Sequence, residues 1–152
     1  MGRSGFTAVE LLIVVILIGV ILAIGFPKMH QAVDSANVRA TRVEVTTFTA
    51  LARADAVQRG CRGVIHFASG AASGAWVTAC PRYKAGAGTV DTVAADNVQT
   101  RYGVSLTSTS DSVQFDPRGL RTDNNTTIVR FTGNVSSTTD SVTINPVGKV
   151  VR

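Results

Sequence analysis

The chain divides into three stretches by the spacing of its apolar residues. The first is an unbroken apolar run. Phe6 to Phe26 is about 21 residues, and at about 1.5 Å rise per residue it gives a helix of roughly 31 Å, the thickness of a bilayer's hydrocarbon core. An ordinary secretory signal has a shorter core of about 7–15 residues, and Ile24-Gly25-Phe26-Pro27-Lys28 offers no A-x-A cleavage pattern. The second stretch is amphipathic. Met29, Val33, Ala36, Ala40, Val43, Thr47, Leu51 and Ala54 recur at three- and four-residue steps, which predicts a helix that packs this stripe against something. Arg39, Arg42 and Arg53 share another face, either solvated or set against acidic groups of a neighbouring molecule. Gly60, just after Arg59, ends the helix. Within this long rod Pro27 removes a backbone donor, so a bend or local loosening is expected near Ala23–Pro27.

From Cys61 the period changes to two. Val64–Phe67, Trp76–Cys80, Arg101–Leu106, Ser112–Phe115, Ile128–Thr132, Val142–Asn145 and Lys149–Val151 read as short strands. Clusters of Gly, Ser, Thr, Asn and Asp separate them at Ser69–Gly74, Lys84–Thr89, Thr107–Asp111, Asp116–Thr127 and Gly133–Ser141. The expected fold is α+β: one long N-terminal helix packed on an antiparallel β-sheet or β-sandwich.

The chain has 152 residues, net charge +5 and a pI near 9.9. That length leaves one small domain beyond the apolar helix. The basic balance suits nucleic acid or an anionic surface, and equally serves solubility. Cys61 and Cys80 form either a bridge or two buried thiols, and a bridge over roughly 20 residues would contribute about 3 kcal/mol. Two Cys with the well-separated His30 and His66 do not make a metal-ligand set, so no metal and no cofactor is expected. No serine lies in a nucleophile-elbow pattern. Gly86-Ala87-Gly88-Thr89 lacks the lysine and length of a phosphate loop. The sequence reads as a structural subunit and not an enzyme.

Glu10 is the exception in its surroundings. An acid in a membrane helix costs about 2.5–3.5 kcal/mol at the centre and less near the end. Either it reaches the headgroup region or it awaits a positive partner. A short basic leader (Met1-Gly2-Arg3-Ser4-Gly5), then Phe6, Thr7 and Glu10, then unbroken Leu/Ile/Val, resembles the type III signal of type IV prepilins and type II secretion pseudopilins. Val113-Gln114-Phe115-Asp116-Pro117-Arg118-Gly119 resembles the F-x-P-x-G-type segment of the GspH/FimT family of minor pseudopilins and minor pilins. The ending Val142 to Arg152 resembles that family's closing hairpin.

The resemblance implies a leader at 1–5, a transmembrane and assembly helix at 6–27, an amphipathic half at 28–60 and a periplasmic β domain at 61–152. It implies cleavage between Gly5 and Phe6 by a prepilin peptidase, N-methylation of Phe6, and a helix-kinking proline at Pro27. The chain would sit in a bacterial inner membrane with its N-terminus cytoplasmic, then enter a pilus or pseudopilus through an inner-membrane assembly platform. The new Phe6 ammonium would pair with Glu10 of an adjacent subunit. The alternative is a DNA-binding minor pilin of a natural-transformation system, with Lys149, Arg152, Arg118 and Arg121 as the candidate cations. DNA-binding relatives end Gly-Arg-x-Arg. Here Lys149 and Arg152 are three apart, which in a regular strand places them on opposite faces.

Overall fold

The structure is a computed structural model that describes residues 7–81 and 89–152. One helix, α1 (Ala8–Arg59), runs for 52 residues and continues through Pro27 without a break. Gly60 closes it in the left-handed conformation (φ 64°), its N–H bonding the Ala56 carbonyl, as the Arg59-Gly60 signal predicts.

The strands after it are β1 (Gly63–Ala68), β2 (Gly74–Ala79), β3 (Asp91–Asp96), β4 (Val104–Ser108), β5 (Ser112–Phe115), β6 (Thr127–Gly133), β7 (Thr139–Ile144) and β8 (Val150–Val151). A short helix, α2 (Val98–Tyr102), precedes β4, and a 3-10 turn covers Gly70–Ala72. The strands form two antiparallel sheets, ordered β3-β2-β1-β5 and β4-β6-β7-β8. The pairs β1–β2, β2–β3, β6–β7 and β7–β8 are antiparallel neighbours in sequence; β4 starts the second sheet, and β5 crosses back to β1, where His66 faces Ser112 and Gly63 faces Phe115.

The second half of α1 lies across both sheets. Its Val38, Val45, Ala52 and Ala56 meet Ile65, Phe67 and Val77 of one sheet and Leu106, Val129, Phe131 and Ile144 of the other, all in one core. The antiparallel domain with the helix filling its open side is the architecture expected.

The buried face of α1 differs from the expected one. Asp34, Val38, Thr41, Val45, Thr49, Ala52, Asp55 and Ala56 point inward. Met29, Val33, Ala36, Val43, Thr47 and Ala54 are exposed, and Ala40 and Leu51 only half-buried. The reason is that the inward polar groups have partners, save one Asp55 oxygen that accepts no hydrogen bond among the described residues. Thr41 and Thr49 donate to the carbonyls of Asn37 and Val45 at 2.9 and 2.8 Å, which turns their methyl groups to the core. Asp34 accepts from the Ser136 N–H at 2.8 Å and its hydroxyl at 2.5 Å.

Two further expectations need correction. Arg101 is not in a strand. It lies in α2, which Asn97 caps by accepting from the Thr100 N–H and Gly103 ends at φ 64°, so β4 begins only at Val104. The strand β3, absent from the expected strands, is an edge strand. Of the expected loop at Lys84–Thr89, residues 84–88 lie outside the described residues.

Candidate assembly site

The N-terminal end of α1 is built by its own residues. Thr7 has extended backbone angles (φ −84°, ψ 148°) and its hydroxyl accepts from the Glu10 N–H at 3.3 Å. Thr7-Ala8-Val9-Glu10 thus has the spacing of a capping box, with an acid in the first turn where the helix dipole favours it. That local role is additional to the one the resemblance suggests. The Glu10 carboxylate is exposed and, among the described residues, has no ion-pair partner. Gly5 and Phe6, the expected processing site, lie outside the described residues.

From Thr7 to Val33 every residue is exposed, and this stretch is long and apolar enough to cross a membrane. Below it the outward face carries an apolar stripe on through Val43, Ala54 and Val57, interrupted by the exposed Arg39, Thr47 and Arg53. A soluble monomer gains nothing from such a face.

The far end of the domain gathers the two C-terminal motifs. Phe115 is fully buried. After it, Asp116 accepts from the N–H groups of Arg118 and Leu120, both at 2.9 Å, and the Gly119 N–H returns to its carbonyl at 2.9 Å. The turn between β7 and β8 packs on this Phe115. Gly148 has φ 79°, and a Cβ there would stand 2.7 Å from the Phe115 ring. The two motifs are therefore one packing unit, with the Phe115 ring filling the space a side chain at position 148 would take.

The four candidate cations separate here. Arg121 is not a surface residue. Its side chain is fully buried, bonded to Asp123 through Nε at 2.9 Å and Nη2 at 2.6 Å, to the Ile144 carbonyl at 3.0 Å and to Thr127 Oγ1 at 3.1 Å. The guanidinium beside Asp123 holds that carboxyl below its ordinary value. Arg121 joins the loop to β6 and β7. Arg118, Lys149 and Arg152 are exposed. Because β8 is only two residues long, Lys149 and Arg152 do not alternate, and both line the trough beside α1. Arg42 does not wait for another molecule; it pairs with Asp140 of β7 at 3.3 Å.

Cys61 and Cys80 form the disulfide, tying the end of α1 to the end of β2. Beside it, Arg59 reaches the Cys80 carbonyl at 2.5 Å, Asp91 at 3.0 Å and Asp55 at 3.4 Å. His66 stacks on Trp76 at 5.1 Å and shares a hydrogen bond with Thr78, and burial lowers its pKa. His30 lies against Phe26. Among the described residues no group of three or more His, Cys, Asp or Glu could hold a metal ion.

No curated protein sequence matches the chain. Two crystal forms of the Pseudomonas aeruginosa (strain PAO1) type IV minor pilin FimU share its fold at 10% sequence identity. One gives a TM-score of 0.60 over 77% of this chain and 88% of that chain, the other 0.56 over 74% and 90%. Residues 43–148, from the outward stripe of α1 to the glycine under the closing hairpin, match the profile described as Type II transport protein GspH, and the chain belongs to that family.

Proposed function

We propose that the chain is a minor subunit of a type II secretion pseudopilus or a type IV pilus. The carrying observation is the two-faced helix. Its inward face packs on its own domain, while its outward face continues the membrane stretch as a stripe of Ala36, Val43, Ala50, Ala54 and Val57, flanked by Arg39 and Arg53. Bilayer accounts for the first half only. The second half, attached to a water-facing domain, needs protein neighbours, and the adjoining subunits of a filament supply them. In this reading a prepilin peptidase cuts Gly5–Phe6, the chain waits in the inner membrane with its β domain in the periplasm, and an assembly platform moves α1 from lipid into the bundle. Glu10, otherwise an exposed carboxylate, then takes the Phe6 ammonium of the adjacent subunit as its counter-charge. Pro27, at the junction of the two halves, is where the rod would bend.

The test is intact mass together with filament partition. Membrane-extracted protein should begin at N-methylated Phe6. Glu10→Val should leave membrane insertion intact and lower the fraction found in sheared filaments at least several-fold. A mature N-terminus at Met1, or wild-type incorporation of Glu10→Val, refutes the corresponding step.

A further inference from the structure

The outward face of α1 and the end of the closing hairpin enclose a trough. One part, of about 580 Å³, lies between Arg53, Ala54 and Val57 on the helix and Gly148–Val150 on the hairpin. A second part, of about 400 Å³, continues it toward Arg42, Val43 and Arg152, and Thr46 and Val150 border both. Its hairpin wall is the free edge of a sheet, since β8 pairs only with β7. The Asn145 N–H donates to the Lys149 carbonyl at 3.0 Å, so Lys149 bonds inward. By antiparallel alternation the N–H and C=O of Val150 then face away from β7 and into the trough.

The charge around this edge is one-sided. Arg42 and Arg53 from the helix and Lys149 and Arg152 from the hairpin line it, and no Asp or Glu does. Asp140 partly neutralises one end, at 3.3 Å from Arg42 and 3.8 Å from Arg152. At the other end neither Arg53 nor Lys149 has an ion-pair partner among the described residues. Cations on a short edge strand repel another edge of the same kind and leave it open to a strand of opposite charge. The helix wall from Arg42 to Val57 is about 22 Å long at 1.5 Å per residue. An extended segment covers that distance in about six to seven residues.

We propose that this trough takes an extended, acidic segment of a neighbouring filament subunit, added as a strand to β8. Its aliphatic side chains lie on Ala50, Ala54 and Val57, and its carboxylates meet Arg53 and Lys149. The identity of the partner as a filament subunit rests on the reading above; the trough's chemistry does not.

The experiment therefore has two arms. In the first, the full chain in detergent micelles is titrated by fluorescence anisotropy with a seven-residue peptide alternating valine and glutamate, with its valine–lysine counterpart, and with duplex DNA. The acidic peptide should bind about tenfold or more tighter than the lysine peptide, and Arg53→Glu/Lys149→Glu should remove about the same factor. Equal binding of the two peptides, or acidic binding unchanged in the double variant, overturns the proposal. So does duplex DNA binding more tightly than the acidic peptide and losing that binding in the same variant, which would assign the trough to nucleic acid. In the second arm, Val151→p-benzoylphenylalanine is placed in the full chain in filament-producing cells. A photo-adduct on a carboxylate-bearing segment of another subunit supports the proposal. Filaments that contain the chain but give no such adduct overturn it and leave the filament reading standing. A chain absent from filaments overturns both.

Discussion

Replacing Arg121 by methionine separates a structural arginine from a ligand-binding one. The side chain is fully buried and its four hydrogen bonds join the Asp116–Thr127 loop to β6 and β7. Methionine fills most of the volume and leaves the Ile144 carbonyl and Thr127 hydroxyl without this donor. Removing one partner of a buried ion pair costs about 3–5 kcal/mol, because the remaining charge is uncompensated. Asp123 is 37% exposed and can turn partly to water, which puts this pair at the low end, about 3 kcal/mol. For a domain of this size that is a fall in Tm of roughly 12 °C at about 4 °C per kcal/mol. The assay is a thermal melt of the disulfide-intact full chain in micelles, followed by near-UV circular dichroism. The pH dependence has a defined sign. Asp123 has a folded-state pKa depressed below 3.8, so its pairing stabilises the fold above the unfolded value and is lost as pH falls through the folded one. The gap between wild type and Arg121→Met should therefore narrow below about pH 4. A Tm change under about 3 °C, less than one kcal/mol, would refute the buried-clamp reasoning. If DNA binding were also lost at that unchanged Tm, Arg121 would return to the surface cations.

Burial, then a hydrogen bond shared with Asp96, raises the pKa of Glu44; Tyr102 and Arg101 oppose the shift, and Arg101 also pairs with Asp96. A raised folded-state pKa means stability present below the unfolded value and lost as pH rises through the folded one, so Glu44→Gln should flatten the pH–stability curve above about pH 4.5. An unchanged slope in chemical denaturation across that range would count against it. Replacing both Cys61 and Cys80 by alanine should lower stability by about 3 kcal/mol, and alkylation without reduction should label neither cysteine of the native chain. Electrophoretic mobility shifts should show at most weak, salt-sensitive duplex binding, reduced in Lys149→Ala/Arg152→Ala; tight binding at physiological salt would favour the transformation reading.

The long helix, its glycine stop and the strand Ser112–Phe115 were legible because their signals are local. The face of α1 was not. Thr41, Thr49, Asp34 and Asp55 count as polar along the chain, yet each has a partner that pays for its burial, whether a carbonyl one turn back, Ser136 over a hundred residues away, or Arg59. The apolar stripe that periodicity selects is real, but it faces outward. The strand β3 was missed because it is an edge strand half-buried on both sides, so Asp91-Thr92-Val93-Ala94-Ala95-Asp96 shows no alternation. Arg121 looked like one more loop cation, since an arginine two residues from an aspartate carries no sign of a carbonyl from β7 converging on it.

The disulfide has a mechanical meaning. Residues 8–33 project from the domain, a rod of about 39 Å at 1.5 Å per residue, so any pull on the anchored end reaches the domain along the axis of α1. The first tie to bear that load is Asp34 on Ser136, at the edge of the domain. If helix contacts yielded in turn from there, the tension would arrive at Gly60 and pass directly into Cys61. There it crosses a covalent bond into Cys80 just after β2, bypassing β1, β2 and the turn between them. Those residues are shielded from extension, and the sheet receives the force through a link that hydrogen bonds alone could not provide.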